Sequence, residues 1–449
     1  MTVPSNATRR QLLAGLATAG GVSLAGCSEI SLSEDDSGRF ERSELEAILT
    51  VPTPDVDPPV PIGPADAALE NELERVSKLL DAVPPSVERD DVPNGVVRET
   101  IEERRVDATE YRESARETAG SARYHALRND VPDAREAARE SATTLAAVED
   151  GPAVDELDDE RGERRSRLDD RLETTAYAGD DSRDGRLRAA LVAADREDDL
   201  VRAGWRVRRW RLHAGSNVVE LGEHAGDLEF VAATTDAWDH LSERYADDLR
   251  SSVDLEAAFS AALERSIDAA TEFSLPDQDE DDWLSELVEG DLETGFQQTL
   301  VWDAVRPVYD ARDRMDDAAS EGRLGRGLAA AVRFEQERRA FETVRDRFEG
   351  RDVEPSASID EIRSEREAAI EAVESALESF AEPTLAAARL ADGVRALGWT
   401  DDRIRRWHES DSDALVSLSD EYSGYVCLRA RFDALPDAAE ATRTRLFEE

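Results

Sequence analysis

Apolar residues recur at helical spacing along most of the chain. One stripe alternates steps of four and three residues, which places its members on a single helix face: Leu69, Leu73, Val76, Leu80 and Val83. In a second predicted helix, Phe334, Phe341 and Phe348 follow one another at steps of seven residues. The pattern predicts amphipathic helices, some of them with coiled-coil spacing.

A third predicted helix begins with a capping box from Ser358 to Glu361. Its apolar face comprises Ile359, Ile362, Ile370, Val373, Leu377 and Phe380. No run alternates in the manner of a strand followed by a hairpin turn, and prolines and glycines divide the chain into roughly a dozen helices. We expect an all-α fold with little or no β-structure, either a multi-helix bundle or a stack of helical hairpins.

A pentapeptide is repeated along the chain: RVRRW at 206–210 returns as RIRRW at 403–407. Residues 153–176 also align with 358–381, and Val219 and Leu221 align with Val416 and Leu418. A chain rich in Ala, Asp, Glu and Arg can produce such matches without common ancestry, which is the alternative. A duplication predicts two similar helical units, residues 65–250 and 251–449, with a cleft between them as the default ligand site.

The N-terminus carries TRRQLLAGLATAGGVSLAGC at positions 8–27. Arg9 and Arg10 precede an apolar run of 14 residues, which is too short to span a membrane. The arrangement resembles the twin-arginine signal that exports folded proteins. This resemblance implies that residues 1–26 are a signal peptide.

The end of this segment resembles a lipobox, in which a cysteine receives a membrane lipid: Leu24, Ala25, Gly26 and Cys27. The resemblance implies a mature protein that begins at Cys27 and is held by lipid on the extracytoplasmic face of the cell membrane. An ordinary helix with an accidental cysteine is the alternative. Residues 51–64 contain six prolines, which favour extended polyproline II structure. We therefore expect residues 27–64 to be a lipidated N-terminus and a flexible linker without contact to any core.

The charge of the chain indicates the solvent in which the protein folds. The chain has 55 Lys and Arg against 103 Asp and Glu, a formal net charge of -48, and Lys78 is its single lysine. This composition resembles that of proteins from salt-in haloarchaea, since molar salt screens the self-repulsion. Nucleic acid is excluded as a partner because binding its phosphates requires a basic surface. With Cys27 lipidated, Cys427 is the one remaining thiol, so we expect no intramolecular disulfide.

The repeated Arg/Trp motif is the most specific feature of the body. On a helix Arg206, Arg209 and Trp210 share a face, and so do Arg403, Arg406 and Trp407. Two guanidinium clusters beside indoles could hold an anionic or planar ligand. Alternatively, Trp210 and Trp407 are core anchors and the arginines pair with acidic helices.

The best candidate for a metal site is the set His213, Glu220 and His224, which shares a stripe if one helix runs through it. Gly215 and Gly222 interrupt that segment, so we expect neither a metal nor a cofactor.

Nucleophile elbows, zinc-protease helices and phosphate loops are absent from the sequence. We therefore expect a non-catalytic binding or structural module of the cell envelope, with an envelope protein or a small ligand as partner. The alternatives are a ligand- or metal-capturing lipoprotein that serves a transporter, and an enzyme with an unrecognised all-α active site.

Overall fold

The computed structural model describes residues 39–448 except 152, 210–212, 214, 280–281, 291, 355–356, 381–382 and 411–414. Within these residues the chain forms α1 (Arg42–Leu45), α2 (Asp66–Leu80), α3 (Gly95–Glu117), α4 (Arg123–Arg128), α5 (Asp130–Glu149), α6 (Val154–Glu173), α7 (Arg183–Arg209), α8 (Val218–Asp248), α9 (Glu256–Glu272), α10 (Gly295–Ser320), α11 (Leu324–Glu349), α12 (Ile359–Leu377), α13 (Leu385–Glu409) and α14 (Ser419–Phe447). Its strands are β1 (Arg39–Phe40), β2 (Ala178–Asp180), β3 (Ser252–Asp254) and β4 (Val416–Ser417). The predicted all-α class is confirmed.

The predicted apolar stripes lie in the core. The members of the first stripe within α2 are all buried, and so are Phe334 and Phe341 of α11 and Ile362, Ile370 and Val373 of α12. Ser358 caps α12 in the predicted capping box with Glu361. Helical periodicity identified these faces because each helix must turn its apolar side away from water.

The two halves of the chain share one arrangement of six helices. The first half uses α2, α3, α5, α6, α7 and α8, and the second half uses α9 to α14 in the same order. In both halves the third helix packs on the first, second and sixth helices, and the fourth and fifth pack on the sixth and on each other. The short helix α4 is an addition of the first half. This shared arrangement favours the duplication predicted from the repeated pentapeptide.

One apolar core extends through both halves, and α7 packs on α11 where they meet. Gly325 makes this contact close, because a Cβ there would overlap the backbone of Ala193 and Ala194 in α7. A helix residue without a side chain is therefore required at the junction.

Residues 39–65, here called the N-terminal strap, run from the second half to the first. β1 pairs antiparallel with β4, and Leu45 and Ile48 are buried in the shared core. Further along, the carbonyl of Pro58 lies 3.3 Å from Nε2 of His125, and the backbone N–H of Ala65 donates to Nε2 of His240. The prediction of a flexible linker without core contacts is therefore wrong for residues 39–64.

A buried ion pair fixes the strap on the second half. Arg366 and Asp401 are both buried and form a bidentate pair at 2.7 and 2.9 Å. Arg366 also donates to the carbonyl of Val51, and Thr53 donates to Asp401 at 2.6 Å. Burial alone raises the pKa of Asp401, but hydrogen bonds from Arg366, Thr53 and Tyr425 outweigh this effect and lower it. The strap thus completes a charged network that the second half alone leaves unfinished.

Candidate functional site

A cavity of about 430 Å³ lies between the halves. The first half contributes Leu187 and Ala190 of α7, and the second half contributes residues of α11, the loop before α13, and α14. The apolar wall of the second half consists of Leu328, Val332, Phe380, Leu385, Ala386, Pro436, Ala439 and Leu446. Its size and aliphatic lining are those of a site for a small molecule with an apolar body.

Polar groups lie at one side of this cavity. Asp184 is in the first turn of α7, where the helix dipole favours a carboxylate. Glu440 and Arg443 form an ion pair with each other on α14, and the hydroxyl of Thr442 donates to the carbonyl of Ala438. Among the described residues, Asp184 is then the lining carboxylate without an ion-pair partner.

A polar depression adjoins the cavity and shares Asp184 with it. It is lined by residues that precede and begin α7 and by the segment after α8. Asp180 accepts hydrogen bonds from the backbone N–H groups of Arg250 and Ser251, which lower its pKa. Arg188 pairs with Asp248 at 2.6 Å and donates to the carbonyl of Pro61. This depression is therefore acidic, and Arg188 connects it to the strap.

Next to α7, the beginning of α11 is held by a buried carboxylate of the other half. Glu197 of α7 accepts from the backbone N–H groups of Gly325 and Arg326 at 3.3 and 2.8 Å, and the hydroxyl of Tyr177 donates to it at 2.7 Å. Burial raises the pKa of Glu197, an effect that these hydrogen bonds partly offset. Sequence reasoning missed this residue, since no local pattern marks a carboxylate that caps a helix of another half.

The repeated arginines are not part of the junction cavity. Arg206 pairs with Glu136 and with Asp227 and stacks on Phe230. Arg403 pairs with Glu421 at 3.1 Å. The guanidinium of Arg209 lies over the ring of Trp205, and Arg406 is exposed. The predicted pairing of these arginines with acidic helices is confirmed for Arg206 and Arg403, and no shared cleft among the described residues joins the two sets.

The tryptophans of the motif differ from the prediction. Trp407 is 45% exposed, so its assignment as a core anchor is wrong. Trp210 lies outside the described residues. Periodicity placed Trp407 beside the arginines correctly but could not tell whether another helix covers it.

The proposed metal set does not lie on one helix. Helix α7 ends at Arg209 and α8 begins at Val218 after the cap Asn217, so His213 is in the intervening loop. Glu220 accepts from the backbone N–H of Asn217 in a capping box. Within the described part of the chain no group of three or more His, Cys, Asp or Glu side chains is arranged to hold a metal ion.

Arg206 lies in a separate depression whose carboxylates have shifted pKa values. Burial raises the pKa of Glu136 to about 7 and that of Asp227 to about 6, and Arg206 offsets this only in part. Such shifts also arise in structural ion-pair networks. We assign the cluster to the packing of α5 on α7 and α8.

The predicted signal and lipidation residues, Arg9, Arg10, Leu24, Ala25, Gly26 and Cys27, lie outside the described residues. No described helix is long and apolar enough to cross a membrane.

The fold and the cavity define a tandem α-helical protein with an apolar site at the junction of two six-helix units. Residues 67–252 match a family model described as "Domain of unknown function (DUF8262)", and residues 256–444 match one described as "Domain of unknown function (DUF8264)". The two matches meet between β3 and α9, where the two helical units also meet. Comparison with curated proteins and with solved structures found no match.

Proposed function

We propose that this is a lipid-anchored, non-catalytic binding protein of the extracytoplasmic membrane face, and that the junction cavity is its ligand site. The observation that carries the proposal is the aliphatic cavity of about 430 Å³ with walls from both halves. A concave, mostly apolar pocket with a few polar groups is the usual form of a small-molecule site. The N-terminal signal and lipobox resemblance supports the location.

The lining specifies the chemistry of the ligand. The apolar side chains that form most of the lining favour an apolar body, and the carboxylate of Asp184 favours a cationic or hydrogen-bond-donating end. Since the halves meet at the cavity, a ligand there contacts both and stabilises their packing. We infer a small amphipathic molecule as the ligand class.

Binding of an apolar fluorescent probe tests the site. N-phenyl-1-naphthylamine should bind the purified chain at one molecule per chain, with an emission increase that Ala439→Trp abolishes because the indole fills the cavity. The matched control is Ala441→Trp, two residues further along α14, where the residue lines a different surface. Probe binding that survives Ala439→Trp would overturn the site.

The anchor has a separate test. Mass spectrometry of the N-terminal peptide from native membranes should find Cys27 as the first residue and lipid attached to it. An intact residue 1, or an unmodified Cys27, would contradict the anchor and leave the cavity measurement unaffected.

A further inference from the structure

The end of α13 and the loop before β4 expose an unusual set of side chains. Trp399 is 67% exposed, Trp407 45% and Leu415 54%. Arg406 and Trp407 are exposed near the end of α13, and Arg406 falls on the same side of the helix as Trp399, seven residues before it. We call Trp399, Arg406, Trp407 and Leu415 the Trp-Arg face. Single exposed apolar residues are normal in soluble proteins, but two tryptophans and a leucine close to an exposed arginine require an explanation.

This face lies beside the start of the described chain. Arg42 donates to the carbonyl of Ser410, and Nδ1 of His408 lies 2.9 Å from the carbonyl of Arg42. One residue after Leu415, Val416 pairs with Phe40. The strap therefore fixes Arg39 next to the end of α13.

Arg39 is the twelfth residue after Cys27, and twelve peptide units reach at most about 40 Å. A lipid on Cys27 would therefore keep the Trp-Arg face near the bilayer. We propose that this face docks on the phospholipid headgroup region of that membrane. The proposal rests on the proposed anchor for its geometry and goes beyond it, since it assigns the surface that turns toward the lipid.

The chemistry of the face fits that occupant. Indole rings have an apolar body and a polar N–H, and they favour the boundary between hydrocarbon and headgroups. Guanidinium groups match phosphate oxygens, and their apolar stems can lie along the boundary. Arg406 is exposed and has no ion-pair partner among the described residues, so it can turn to a phosphate at little cost. In the repeat the first half has Arg202 where the second half has Trp399, so the complete set is specific to the half that holds the strap.

Vesicle binding by the unanchored chain tests the face by itself. The chain from Ser28 contains every described residue and cannot be lipidated. We expect it to sediment with vesicles of equal phosphatidylglycerol and phosphatidylcholine in about 2 M KCl, where repulsion from the acidic body is screened. The double variant Trp399→Ser/Trp407→Ser should lose at least about tenfold in binding, because two largely exposed indoles no longer insert.

The matched control is Trp205→Ser, which removes a tryptophan of 53% exposure from the first half and should bind as the unmodified chain does. Equal binding by the double variant and the unmodified chain, or no binding by either, would overturn the proposal. Sedimentation velocity tests whether a second copy of the chain occupies the face instead. If the unmodified chain is a dimer and the double variant is a monomer, the face is a dimer interface and membrane docking is refuted. The mass of the native N-terminus reports on the anchor independently of all these outcomes.

Discussion

The two halves have the same six helices in the same order, but the residues at two repeat positions make different contacts in each half. Arg161 and Gly204 occupy in the first half the repeat positions that Arg366 and Asp401 occupy in the second. Arg161 donates to the carbonyl of Val207 in its own half, whereas Arg366 is fully buried between Asp401 and the strap. The same helix packing therefore occurs with a buried ion pair at these positions and without one. The comparison shows that the charged pair belongs to the strap rather than to the six-helix unit.

Removal of the Asp401 carboxylate should have the largest effect on the stability of the protein. Asp401→Ala leaves Arg366 buried without its partner, which costs about 3–5 kcal/mol, and it should also release the strap. Thermal unfolding and limited proteolysis of residues 39–65 measure the two consequences. Asp360→Ala removes one of the two partners of Arg363 at an exposed position and should change stability by less than about 0.5 kcal/mol. A strap that stays protected in Asp401→Ala would contradict this account of the pair.

Gly325 tests whether the halves depend on each other. Gly325→Val should cost about 1–3 kcal/mol, because the new side chain overlaps the backbone of Ala193 and Ala194. Calorimetry should then show the single transition divide into one for each half. Gly398→Ala, where an added Cβ meets nothing within 4 Å, is the control and should be neutral or slightly stabilising. A single unfolding transition in Gly325→Val would show that the two halves still unfold together and would contradict this prediction.

The depression around Arg206 should make the stability of the protein depend on pH. The pKa of Glu136 is about 7 in the folded protein because burial penalises its charge. The neutral form therefore favours folding: this contribution is fully present below about pH 4.5 and is lost as pH rises through about 7. Glu136→Gln should stabilise the protein at pH 8 by about 1–2 kcal/mol and flatten the profile of melting temperature against pH. Glu371→Gln, at an exposed position of α12, should leave that profile unchanged.

The smallest expected effect is a pH dependence that distinguishes the two ends of the strap. Nε2 of His240 must be neutral to accept from the N–H of Ala65, and burial lowers the pKa of His240. Stability from this contact is present above about pH 6.5 and is lost as pH falls through the folded pKa. Hydrogen-exchange protection of Ala65 should therefore fall by a few-fold at pH 5, while protection near Val51 and Thr53 persists. An equal loss of protection at Ala65 and at Val51 and Thr53 would refute the conclusion that the two ends of the strap are fixed independently.

Much of the fold follows from local patterns, and the site does not. The stripes of α2 and α12 and the cap at Ser358 are visible in the sequence because periodicity and capping act within one helix. The prolines of residues 51–64 correctly indicate a segment without helix or strand, yet its attachment to the second half depends on Arg366 and Asp401, more than 300 residues away. The cap of α11 by Glu197 and the exposure of Trp407 likewise depend on which helices meet.

The pairing of β1 with β4 has a consequence for biosynthesis. Arg39 opposes Ser417, so β1 at the start of the strap has no partner until nearly the whole chain has left the ribosome. Closing so long a loop costs entropy, which only the finished second half can offset. Folding must then be completed after translation rather than during it. A cell that exports this chain by a route for folded cargo, as its first residues suggest, would hold a finished molecule in the cytoplasm before export.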